Sequence, residues 1–143
     1  MIQNSMKVFW TMLVTMLCAY FSFQVPVFAA TDAKTVKWLD YSNKVFTQSE
    51  KEKKPVLLFV KADWCPHCNK MKETTLQDPS VIKLINESFI PVMIDADANR
   101  KLVVEYKVTG LPTFIVLNSK NKSIKEFSGE FSIIDFLANL MQA

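Results

Sequence analysis

Residues 56–68 read Val-Leu-Leu-Phe-Val-Lys-Ala-Asp-Trp-Cys-Pro-His-Cys, and this stretch decides the fold. Val56 to Val60 is an unbroken apolar run of strand length. A strand with one wet face alternates, so a continuous run points to a strand covered on both faces, as in a sheet flanked by helices. This strand is expected to be central. After Lys61-Ala62-Asp63-Trp64 come Cys65-Pro66-His67-Cys68, and Asn69 to about Leu76 is helix-compatible and free of glycine. The two cysteines therefore sit where a buried strand hands over to a helix.

Residues three apart on a helix share one face at about 5 to 6 Å, within reach of a disulfide. Cys65 falls at the helix start, where unpaired backbone N–H groups and the positive end of the helix dipole favour a thiolate. That makes Cys65 the expected nucleophile. Pro66 suits the first turn, because its missing N–H has no intrahelical partner there. His67 adds a donor, and a cation when protonated, beside the same sulfur. Cys68, one turn deeper, is expected to be less exposed and to act as the resolving thiol. Other readings of the cluster are a permanent structural bridge, whose loop is too short to constrain the unfolded chain much, and a three-atom site from Cys65, His67 and Cys68 for transient Cu(I). His67 can also be an exposed helix residue without influence.

Outward from the cluster, Trp38, Leu39, Tyr41, Val45 and Phe46 recur at helical spacing and predict one amphipathic helix from Val36 to about Glu52. Lys51-Glu52-Lys53-Lys54 reads as its solvated end. Asp78-Pro79 signals the start of a short helix with Val81, Ile82 and Ile85 inward. Phe89 to Ile94 reads as a second strand, in which Pro91 argues for an edge position or a bulge. Asp97 is the expected cap of a helix running to about Tyr106. Thr113 to Leu117 and Ile124 to Phe127 read as strands joined by the polar turn Ser119-Lys120-Asn121-Lys122. A final helix spans Ser132 to Met141 with Ile133, Ile134, Leu137, Leu140 and Met141 inward. No internal repeat or linker divides the chain.

The 143 residues are 50% hydrophobic and 22% charged with net charge +3, which fits one globular domain and excludes disorder and collagen. Two glycines, Gly110 and Gly129, cannot build a phosphate-cradling loop. One histidine and three cysteines cannot supply a closed zinc framework, so no resident metal is expected. The small, scattered positive excess makes nucleic acid a poor partner. Residues 8–31 carry no charge, and Lys7, the apolar run Val8 to Phe23 and the small Ala29-Ala30 pair have the layout of a secretory signal peptide cleaved after Ala29. An uncleaved anchor is the rival, but the run is short and is broken by Thr11, Thr15, Ser22 and Gln24. Cys18 reads as an apolar filler within it. The expected organisation is thus a signal peptide over 1–29 and one domain over 30–143, exported to an oxidising compartment where Cys65 and Cys68 remain.

Ala62-Asp63-Trp64-Cys65-x-x-Cys68 and the later Tyr106-x-Val108-x-Gly110-Leu111-Pro112-Thr113 resemble the thioredoxin superfamily in order and spacing, across nearly all of residues 30–143. The resemblance implies an α/β, thioredoxin-like fold with a central mixed β-sheet flanked by helices. It also implies a cis Pro112 opposite the cysteines, with the backbone at Leu111 offered to a substrate's cysteine segment; an ordinary trans proline opening a strand is the alternative. Thr74-Thr75-Leu76-Gln77-Asp78-Pro79-Ser80-Val81 and Gly110-Leu111-Pro112-Thr113 look like the C-terminal domain of DsbD, whereas the Pro66-His67 dipeptide looks like that of the DsbA oxidants. One position departs from the family: where a buried acid usually stands six residues before the first cysteine, this chain has Phe59.

The resulting expectation is an exported, periplasmic thiol-disulfide oxidoreductase. Cys65 and Cys68 are its catalytic pair, tuned by Pro66 and His67, with Trp64, Leu111 and Pro112 receiving the substrate. Trp64 is read as a shield for the thiol or as packing, and Asp63 as an exposed turn charge. The lean is to reduction and interchange over net oxidation. No cofactor is needed. Expected partners are cysteine-containing proteins and a membrane or periplasmic thiol-redox partner, and the chain is expected to be a monomer. The alternative from another class is a periplasmic copper carrier or a non-catalytic binding module of the same fold.

Overall fold

The structure, a computed structural model, describes residues 34–143. The leader expected over residues 1–29, with Cys18, lies outside these. The described elements are β1 (Leu39–Asp40), α1 (Asn43–Glu52), β2 (Val56–Lys61), α2 (Pro66–Glu73), a 3-10 turn (Thr75–Gln77), α3 (Pro79–Ser88), β3 (Ile90–Asp95), α4 (Arg100–Glu105), β4 (Thr113–Leu117), β5 (Ser123–Ser128) and α5 (Ile133–Met141).

The strands form one mixed sheet in the order β1-β3-β2-β4-β5. β2 lies at its centre, parallel to β3 and antiparallel to β4, with Val56 opposite Ile90 on one side and Phe59 opposite Phe114 on the other. Because successive side chains of a strand point to opposite faces, the apolar run of β2 feeds two cores. Leu57 and Phe59 join Phe114 and Val116 beneath Met71 of α2, Val81, Ile82 and Ile85 of α3, and Phe136 and Leu140 of α5. Val56, Leu58 and Val60 join Val92, Ile94 and Ile115 against Val45 of α1, with Leu102 and Val103 of α4 packed on them. The uninterrupted apolar composition of β2 follows from this double burial.

Several elements differ from their sequence reading. The helix expected from Val36 begins only at Asn43. Ser42 before it is extended (φ −160°, ψ 163°), Leu39–Asp40 pairs with Val92–Met93, and Trp38 leaves the helical stripe to pack against Phe59 at 5.5 Å. Strand pairing and an aromatic contact outweigh the local periodicity. The strand with Pro91 is neither the edge of the sheet nor bulged there; it lies between β1 and β2. Ile90 N–H points to Pro55 O on the β2 side at 2.9 Å, so the next position faces β1, whose pairing begins only at Val92. The missing donor of Pro91 thus falls where there is no neighbour.

Asn99, not Asp97, is the residue before α4, and it makes no side-chain cap bond. The carboxylate of Asp95 instead accepts the N–H groups of Asp97 and Ala98 at 3.0 and 3.2 Å, leaving the Asp97 carboxylate free for another partner. In α5 the core positions are Phe136 and Leu140, while Ile133, Ile134 and Met141 are exposed. Ser132 caps this helix, accepting the N–H of Asp135 at 3.2 Å and donating its hydroxyl to the Asp135 carboxylate at 2.7 Å. Phe136, one turn on, meets Phe114 edge-on at 4.8 Å. That contact sets the rotation of the helix and turns the flanking apolar residues outward. Asp78 does cap α3, accepting the N–H groups of Ser80 and Val81.

Candidate active site

β2 ends at Lys61, and the chain turns through Ala62-Asp63-Trp64 into α2. Cys65 is the residue before the first helical turn, with Pro66 inside it. Its backbone is extended (φ −83°, ψ 110°), and its Sγ accepts the N–H of Cys68 at 3.2 Å, the place a serine or aspartate oxygen takes in an ordinary cap. The sulfur is therefore built into the group of unpaired donors at the start of α2. Cys65 and Cys68 form a disulfide pair with Cα atoms 5.3 Å apart. Cys65 is 3% exposed and Cys68 is fully covered, so the second cysteine lies deeper. Ala62 completes this small buried cluster, and Leu111 packs against it.

Leu111 lies just before β4, and its peptide bond to Pro112 is cis. Thr113 donates its hydroxyl to Gly110 O at 2.8 Å, and the carbonyl of Pro112 accepts the N–H of Gly129 at 2.8 Å, so this segment is tied at both ends. An open groove of about 370 Å³ runs between the two loops, lined by Trp64, Cys65, His67, Val108, Gly110 and Leu111 among others. The fold thus brings Trp64, Cys65, Pro66, His67 and Leu111 to one surface, whereas Pro112 and Cys68 are buried beneath it.

Trp64 stands 69% exposed beside Cys65, and its Nε1–H donates to the Asp97 carboxylate at 2.7 Å. A large apolar ring held in solvent by a hydrogen bond at its tip forms one wall of the groove; it is not core packing. His67, 66% exposed, donates its Nδ1–H to Glu130 Oε2 at 2.9 Å. Sequence spacing carries no sign of Glu130, which lies 63 residues away and is brought in by the β5 to α5 connection.

Beneath the turn, Lys61 Nζ donates to Asp63 at 2.6 Å and to Asp95 at 2.7 Å. Asp63 is an exposed turn charge as read, though not an unpartnered one. These bonds, first to Asp63 and then to Asp95, hold the Lys61 ammonium above its ordinary pKa; Lys61, and secondarily the N–H of Ala98, hold the Asp95 carboxyl below the ordinary range. The pair ties the end of β2 to the end of β3 and so fixes the two loops that carry Cys65 and Asp97. Phe59, fully buried, stacks on Phe114 at 4.8 Å, so the position of the usual family acid is filled by an aromatic core. Among the described residues, no group of three or more His, Cys, Asp or Glu could hold a metal ion, and no helix is long and apolar enough to cross a membrane.

Residues 42–143 match the thioredoxin-like domain family. Among curated proteins the chain is 29% identical to a protein disulfide-isomerase of Ricinus communis over 100 residues, 68% of this chain but 20% of that protein. It is 27% identical to thioredoxin-1 of Drosophila melanogaster over 106 residues, 73% of this chain and 92% of that one. The oxidised C-terminal domain of DsbD from Neisseria meningitidis superposes with a TM-score of 0.61 at 28% identity, covering 69% of this chain and 89% of the domain. A thioredoxin from Thermus thermophilus superposes with a TM-score of 0.68 at 25% identity, covering 76% of this chain and 86% of that chain. A five-stranded mixed sheet, a Cys-x-x-Cys pair at a helix start, a cis proline beside it and a family match over residues 42–143 agree: this chain belongs to the thioredoxin-like domain family.

Proposed function

We propose that the chain is an exported thiol-disulfide oxidoreductase that works on cysteine-containing proteins, with Cys65 as nucleophile and Cys68 as resolving thiol. The observation that carries the reading is the Cys65 sulfur capping α2 and accepting the Cys68 N–H. A negative sulfur is favoured there by the hydrogen bond and by the helix dipole, and the thiolate is the reactive form.

In the reducing direction, the Cys65 thiolate attacks one sulfur of a substrate disulfide. A Cys65–substrate bond forms, the substrate S–S bond breaks, and one substrate thiolate leaves. Cys68, as thiolate, then attacks Cys65 Sγ and expels the second substrate thiolate. The substrate has gained two electrons and two protons, and the chain is left with the Cys65–Cys68 disulfide, which a dithiol partner must reduce for another cycle. Trp64 and Leu111 flank the attacking sulfur and receive the substrate segment, with Pro112 holding the Leu111 backbone in place. Pro66 fixes the first turn of α2, and His67 tunes the sulfur.

The likeness to the DsbD C-terminal domain supports export and a reducing or interchanging role, in keeping with a cleaved leader over residues 1–29. With Phe59 in place of an acid, the proton of Cys68 passes to water or to His67. No organic cofactor enters this cycle.

Capture in the living host tests the reading. A Cys68→Ser variant cannot complete the second step and is expected to accumulate partner proteins on Cys65 as adducts released by dithiothreitol. Identifying the partners gives both substrates and the direction of electron flow. Absence of such adducts, beyond those seen with a variant lacking both cysteines, would count against it.

A further inference from the structure

Glu130 lies in the short connection between β5 and α5, and its neighbours on both sides are tied down. Gly129 has φ 112°, a setting that side chains with a Cβ rarely adopt, and donates its N–H to Pro112 O at 2.8 Å. Phe131 donates its N–H to Met71 Sδ at 3.3 Å, and its carbonyl accepts the Thr75 hydroxyl at 2.8 Å. The connection is therefore fastened to the Leu111-Pro112 segment at one end, and to α2 and the turn after it at the other. From this position the Glu130 carboxylate reaches α2 twice: Oε2 accepts from His67 Nδ1 at 2.9 Å and Oε1 from Lys70 Nζ at 2.5 Å. His67 first, and Lys70 second, hold the Glu130 carboxyl below the ordinary carboxylate range, so it is ionised at neutral pH.

His67 sits between the two cysteines in sequence, and a ring N–H, or a positive charge when the ring is protonated, would favour a thiolate at Cys65. An anion shared by His67 and Lys70 offsets that charge. We propose that Glu130 is a positioning residue that holds the His67 imidazole by its Nδ1–H and so withholds that ring, with the positive charge it carries when protonated, from the Cys65 sulfur. The Cys65–Cys68 pair is then less oxidising than the sequence Cys-Pro-His-Cys alone would make it. This inference rests on the exchange role proposed for the pair. Its sense follows from the redox couple: a thiolate that is stabilised less makes the dithiol form less favoured, and the balance moves toward the disulfide. Exposed ion pairs of this kind add little to folding, so the effect falls on the sulfur and not on stability.

The test equilibrates the whole exported chain with glutathione, in which the protein disulfide and two reduced glutathione molecules give the protein dithiol and one oxidised glutathione. Glu130→Gln, which keeps size and removes charge, is expected to raise this equilibrium constant about three- to tenfold, tenfold being about 30 mV. It should also move the pH profile of Cys65 alkylation to lower pH. Lys70→Gln, which leaves the His67–Glu130 hydrogen bond in place, is expected to change the constant less than about twofold, as for an exposed and screened charge. In a His67→Ala background the Glu130→Gln shift should shrink below about twofold, since additive behaviour is lost between coupled residues. An unchanged constant for Glu130→Gln, or one moved toward the disulfide, overturns the proposal. So does a shift that persists in full without His67. A pair that does not exchange with glutathione at all would instead overturn the exchange role of Cys65 and Cys68.

Discussion

Replacing Cys65 with Ser is expected to lower dithiol-dependent reduction of insulin by at least about a thousandfold, because a hydroxyl in the same place is not ionised near neutral pH and cannot form the mixed disulfide. Cys68→Ser is expected to stop turnover as well, but for a different reason: the first bond still forms and the product is trapped. This asymmetry is the signature of one attacking and one resolving sulfur, and it follows from the two environments. Cys65 caps α2 at the floor of an open groove, while Cys68 is fully buried one turn deeper. A structural bridge would show no asymmetry, and neither substitution would change insulin turbidity. Retention of more than about a tenth of the activity in Cys65→Ser would remove that residue from the nucleophile role.

Phe59→Asp, which places an acid where thioredoxin-like proteins usually carry one, is expected to unfold the domain or bring it to the edge of unfolding. Phe59 is fully buried, stacked on Phe114 at 4.8 Å and packed against Trp38 at 5.5 Å. Loss of the ring alone, as in Phe59→Ala, costs about 3 to 5 kcal/mol through lost transfer energy and the cavity left behind. A carboxylate there is buried as well, and an unpaired polar group adds a further penalty of about 1 to 3 kcal/mol or more. The total is comparable to the whole stability of a small domain, about 5 to 15 kcal/mol. Urea unfolding of the two variants checks this: Phe59→Ala should lower the midpoint markedly and Phe59→Asp should go below it. A Phe59→Asp protein as stable as the parent would mean that the core around β2 can accept an acid, and that the absence of one is not enforced by packing.

The parts of the fold that could be read from the chain are those in which local pattern and tertiary role agree. The run Val56 to Val60 is apolar throughout because both of its faces are covered, and Asp78-Pro79 opens α3 because the aspartate accepts the first free N–H groups. The cysteine pair was legible for the same reason, since a helix start, a proline and a three-residue spacing are all local. What was not legible depends on distant partners. Trp38 and Leu39 match a helical stripe yet are drawn off by Phe59 and by β3. Pro91 looks like an edge signal yet sits inside the sheet, because β1 is only two residues long and starts one position later. Asp97 looks like a helix cap but holds the Trp64 indole, while Asp95 accepts the N–H groups of Asp97 and Ala98 in the turn before α4. Glu130 has no local signature at all; only the closure of β5 onto β4 and the anchoring of Gly129 and Phe131 place it against His67.

The most direct measurement of the central claim is the rate of alkylation of each thiol in the reduced chain as a function of pH. Cys65 is expected to react faster than a free cysteine near pH 7, with an apparent pKa clearly below the ordinary value of about 8.5, while Cys68 stays protected. If both thiols react no faster than free cysteine across the neutral range, the start of α2 does not activate the sulfur and the exchange mechanism fails.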